Sequence, residues 1–116
     1  MDKKWKDLEI TRKCTKIYEL IFKKNGTPED ITGWTVYFIV KENMNDTDDN
    51  AKISKVVTSH SDPTSGKTLI SLDSSDTDID SGVYYYTMDF KDDENHEDVL
   101  FRGRLKIVEP LLKTRS

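Results

Sequence analysis

The sequence predicts an all-β fold of seven or eight strands, in two antiparallel sheets packed face to face. Three observations carry that prediction. Gly33 is followed at once by Trp34-Thr35-Val36-Tyr37-Phe38-Ile39-Val40, a run of β-branched and aromatic residues that suits a pleated backbone. The same turn-then-strand order recurs at Asp80-Ser81-Gly82 and Val83 to Phe90. Elsewhere apolar and polar residues alternate, the period of a strand with one wet face.

Each element follows from that pattern. Leu8 and Ile10 alternate with Asp7, Glu9 and Thr11 in a first strand. Tyr18, Leu20 and Phe22 alternate with Ile17, Glu19 and Ile21 in a second. Ile17, Leu20 and Ile21 also have helical spacing, but the β-branched and aromatic content favours a strand. Asn25-Gly26-Thr27-Pro28 breaks the pattern. Trp34, Val36, Phe38 and Val40 share one face of the next strand, and Tyr37 and Ile39 thicken the other; two apolar faces place it centrally in a sheet. Asn43 to Asn50 is a polar loop. Ile53 and Val57 mark a weaker strand, Ser61 to Gly66 a turn, and Leu69, Ile70 and Leu72 a further strand; the pair is expected to form a hairpin. Asp73 to Ser81 reads as a loop with one helical turn. In the strand Val83–Phe90, Tyr84, Tyr86, Met88 and Phe90 point inward and Tyr85 outward. Lys91 to Glu97 is a turn. Val99, Phe101, Leu105 and Ile107 then line one face of the last strand, with Gly103 among them, and Arg102, Arg104 and Lys106 line the other. This strand count is that of an immunoglobulin-like sandwich.

At 116 residues, one domain is expected over 1–116, with a core over about 7–109 and a short C-terminal tail. A hydrophobic share of only 34% suits a thin sandwich. Cys14 is the only cysteine, so no internal disulfide can form. Lysines at the N-terminus have no apolar run behind them; neither a signal peptide nor a membrane span is expected. Charge is unevenly placed: residues 1–24 carry eight basic and four acidic side chains, 25–101 five and seventeen, and 102–116 five and one. The acidic middle repels nucleic acid. Basic ends and an acidic middle favour ordered contact with a partner or between copies.

Motifs for chemistry are weak. Ser65-Gly66-Lys67-Thr68 ends like a phosphate-binding loop, but Ser61 stands where the first glycine belongs and a strand follows instead of a helix. Asp46 to Asn50 lacks the glycine and glutamate of a calcium loop, whose places hold Ala51 and Val57. Asp76, Asp78 and Asp80 read as solvated loop acids, and His60 and His96 as exposed loop histidines without ligand partners. No catalytic residue, metal site or cofactor is expected. The residues expected to make contacts are Arg102, Arg104 and Lys106 on the last strand and the outward Tyr85.

Three stretches resemble a known family: Asp30 to Phe38, a hairpin through Asp62 and Gly66, and Gly82-Val83-Tyr84-Tyr85-Tyr86 with Gly103 in a closing strand. Together they resemble the N-terminal domain of phage baseplate upper proteins and related small phage tail domains. The first strands of this chain are more basic than that pattern. The resemblance implies an immunoglobulin-like sandwich in a virion, assembled in the bacterial host cytoplasm. Its role there would be structural and non-enzymatic. Its partners would be other tail or baseplate proteins, with self-association as a second mode, and neither nucleic acid nor membrane. A cell-surface or carbohydrate-binding sandwich is the alternative reading.

Overall fold

The computed structural model describes residues 5–43 and 51–109. The polar loop around Asp46 and the tail after Glu109 lie outside them. The described chain is all-β. A five-stranded sheet has the order β1-β9-β8-β5-β6, with β1 Leu8–Thr11, β5 Thr35–Lys41, β6 Ile53–Val57, β8 Gly82–Lys91 and β9 Glu97–Val108. A two-stranded sheet pairs β2 (Lys16–Ile21) with β7 (Lys67–Leu72). The short strands β3 (Lys23–Lys24) and β4 (Thr27–Pro28) close a ribbon across Asn25 and Gly26.

This is an immunoglobulin-like sandwich. β2 and β7 take the places of strands B and E, while β5, β8 and β9 take those of C, F and G; β6 extends the larger sheet beside β5 as in variable-type domains. Tyr84, at the start of β8, donates its hydroxyl to the Asp80 carbonyl at 2.6 Å, the tyrosine corner of that architecture. No disulfide ties the sheets. Instead Phe38 sits between Tyr18 and Tyr86, ring centroids 6.1 and 5.9 Å away, and fills the middle of the core with aromatic volume. Toward one end Trp34 stacks on Phe90 at 5.0 Å, with Phe22 edge-on to both. Trp34 is only half-buried; Phe38 is the fully buried ring.

Four expectations are corrected. The sheets are not wholly antiparallel, because β1 pairs in parallel with β9, Leu8 opposite Leu105. β6 and β7 do not form a hairpin: β6 pairs with β5 and β7 with β2, so the chain crosses between sheets at residues 58–66. His60 is half-buried on that crossover. Its Nε2 is 2.8 Å from the Trp34 carbonyl and its Nδ1 2.8 Å from the Thr68 hydroxyl, so it ties the two sheets together. Val99 does not share a face with Phe101. A bulge between Met88 and Asp89 skips Leu100, so Phe101 opposes Met88 while Val99 opposes outward Asp89. Leu100 packs against the core instead.

Two glycines are fixed by close approach. Gly66 caps the 3-10 turn Pro63–Ser65 at φ 74°, and a Cβ there would strike the Phe22 and Glu29 carbonyls. Gly103 lets the backbone of Lys6 cross β9; a Cβ would strike the Lys6 carbonyl. That crossing also places the Lys6 carbonyl 2.5 Å from the Tyr86 hydroxyl, which donates to it.

Candidate functional site: the outer face of the large sheet

Cross-strand pairing gathers the outward side chains of the large sheet into rows. Lys41, Tyr85 and Arg104 form one row, and Ser54, Ile39, Thr87 and Arg102 the next. Val56, Tyr37, Asp89 and Val99 form a third, and Val83, Lys106 and Glu9 flank the first on its other side. The four residues expected to make contacts therefore share one face, with Tyr85 directly opposite Arg104. Direct neighbours on one sheet face sit within side-chain reach, so the face acts as a unit.

The face has an apolar-aromatic centre and a basic margin. Tyr37, Ile39 and Tyr85 are half-buried in the sheet surface, while Arg102, Arg104 and Lys106 are exposed along β9. In the sequence alone Tyr37 and Ile39 only thicken the second face of the strand. Their place in the site depends on the register, which sets them beside Thr87 and Tyr85. An open depression of about 420 Å³ is lined by Tyr37, Ile39, Lys41, Thr87, Asp89 and neighbours, and a smaller one of about 70 Å³ lies by Tyr85 and Arg102. Asp7 touches the basic margin at its edge, accepting the Arg104 backbone N–H at 3.3 Å. Aromatic and arginine side chains around a shallow depression are the residue types enriched in protein interfaces.

The weaker chemical motifs are dispersed. Gly66 and Lys67 form the turn into β7, and Thr68 is fully buried. The Thr68–His60 contact therefore has no room for a substrate, and the second His60 nitrogen is committed to a backbone carbonyl. The three alternating acids serve separate partners. Asp76 accepts the Asp73 N–H and pairs with Lys55, Asp78 pairs with Arg12, and the Asp80 carbonyl receives Tyr84. The Ser75 hydroxyl and the Asp76 N–H hold the Asp73 carboxyl below the ordinary carboxylate range, fixing this loop as a turn. Among the described residues no group of three or more metal-ligating side chains comes together, and no helix is long and apolar enough to cross a membrane. His96 is exposed in the β8–β9 turn against Asp92.

No protein-family model matches the chain, and no curated protein matches it in sequence. Among solved structures the chain is similar to the extracellular domain of the voltage-gated sodium channel beta4 subunit, described as a parallel homodimer with a role in cell-cell adhesion. Identity is 17% over 96% of this chain and 97% of that chain, at a TM-score of 0.41. A likeness at that level carries no functional inference; the fold rests on the strand pairing and the tyrosine corner.

Proposed function

We propose that the protein is a non-enzymatic assembly domain that docks to neighbouring proteins through the outer face of its large sheet. The single observation that carries this is the gathering of Tyr37, Ile39, Tyr85, Arg102, Arg104 and Lys106 on one face of an otherwise acidic chain. The aromatic centre supplies contact area and the basic margin steers an acidic partner surface. The resemblance of Asp30–Phe38 and Gly82–Tyr86 to phage baseplate upper proteins supports a phage tail or baseplate as the setting. There the domain would join tail or baseplate subunits.

Binding of the purified protein to isolated tail and baseplate proteins tests this, run beside a glycan array. The proposal expects binding to a tail protein that Tyr85→Asp weakens. Retention of glycans with no affinity for tail proteins would contradict it and support the carbohydrate-binding alternative.

A further inference from the structure

The small sheet leaves a strand edge open over an apolar groove. Among the described residues β2 pairs only with β7, and the place that an immunoglobulin strand would take on its other side is empty because β1 pairs with β9 instead. Phe22 donates its N–H toward β7, to Gly66 at 2.8 Å. Backbone direction alternates along a strand, so Ile17, Glu19 and Ile21 turn their N–H and C=O groups to the open edge. Beneath that edge runs a groove of about 460 Å³ between the sheets, lined by Leu8, Tyr18, Leu20, Met88, Leu100 and Phe101 among others. The Tyr18 hydroxyl is buried and has no hydrogen-bond partner among the described residues. Above the edge, Ile17 and Ile21 are 55% and 49% exposed.

We propose that β2 is a second docking surface, separate from the outer face of the large sheet. It takes an extended strand of a partner protein that is apolar at alternate positions and acidic at others. Backbone groups facing outward specify a strand as the occupant, and the period-2 groove specifies its apolar side chains. Charge specifies the rest. Lys6 and Lys23 line the mouth against the single carboxylate of Glu19, and neither lysine forms an ion pair among the described residues. The Lys6 ammonium lies over the Phe101 ring, 5.8 Å from its centre, at the groove itself. Lysines also guard edges against unwanted pairing. An edge built only for protection would not hold an apolar groove below it and two exposed isoleucines above it.

The test uses the whole chain and capped synthetic peptides of alternating valine and threonine that end in two aspartates or in two lysines. Amide hydrogen exchange followed by NMR should slow at Ile17, Glu19 and Ile21 when the aspartate peptide is added. The lysine peptide should bind about tenfold or more weakly. Glu19→Pro removes one outward N–H without touching the β7 bonds and should abolish the protection. Should that variant unfold, Lys6→Glu with Lys23→Glu, both exposed, should reverse the preference between the two peptides. Equal binding of both peptides, or no protection at these amides, would overturn the proposal. Protection that rises with protein concentration in the absence of peptide would overturn it in favour of a second copy of this chain.

Discussion

The large and small sheets bury one shared core but differ in how completely they use their backbone. In the large sheet β9, β8 and β5 are each paired on both sides, and β1 and β6 are its two edges. In the small sheet each strand is paired on one side only among the described residues. The same contrast appears in the aromatic centre. Tyr86, from the large sheet, donates its hydroxyl to the Lys6 carbonyl, whereas the Tyr18 hydroxyl, from the small sheet, is buried without a partner among the described residues. Burial pushes both phenols up to about 12. The lesson is that one layer has a fully paired interior and the other, among the described residues, consists only of edges. The paired interior can display side chains on a rigid face, and the layer made of edges offers backbone.

Substitutions in the core should reveal that difference first. Phe38→Ala, in the fully buried ring of the large sheet, should cost about 3–5 kcal/mol in urea unfolding. Leu20→Ala, on β2 beside the groove, should cost about 2 kcal/mol, because the open side can relax into the space left. Equal losses would mean that the small sheet is packed as tightly as the large one. Next, Gly103→Ala should cost about 1–3 kcal/mol by driving the Lys6 backbone off β9. It should also disturb the Tyr86 hydrogen bond, visible as a changed tyrosine signal.

The two tyrosines give a finer contrast. Tyr86→Phe should cost about 1 kcal/mol for the lost bond to Lys6, while Tyr18→Phe should be neutral or stabilising because it removes an unmatched buried hydroxyl. Alkaline unfolding follows from the same burial. A phenol raised from 10.0 to about 12 in the fold supports stability fully below pH 10.0, and that support is lost as pH rises through about 12. Fluorescence-monitored unfolding should therefore set in across that window, and either Phe variant should move it to higher pH.

Much of this was legible in the residues, for identifiable reasons. Alternation located the strands because one face of each is wet, and it put Tyr85 on the opposite side of β8 from Tyr84 and Tyr86 correctly. It failed where the period itself slips: the bulge at Leu100 inverts Val99, and nothing in Asp98-Val99-Leu100-Phe101 marks where the extra residue falls. Pairing was also beyond local pattern. The nine residues from Thr58 to Gly66 suit a hairpin or a crossover equally, and His60 decides between them only through contacts with Trp34 and Thr68 that are far away in sequence. The basic row on β9 was visible, but its aromatic neighbours Tyr37 and Ile39 joined it only through register. The groove under β2 had no sequence signal, since it comes from the lack, among the described residues, of a second strand beside β2.

The smallest expected effect on stability attends the most direct test of the docking face. Arg102→Glu with Arg104→Glu should leave the unfolding midpoint nearly unchanged, because exposed charges contribute little to folding. Sedimentation velocity of wild type and this double variant, alone and mixed with isolated tail proteins, at low and high salt, then isolates the face itself. We predict association that weakens as salt shortens the screening length below about 8 Å, and that the double variant largely loses. A monomer under every condition, with tail-protein binding the same in both proteins, would contradict the assignment of this face to assembly.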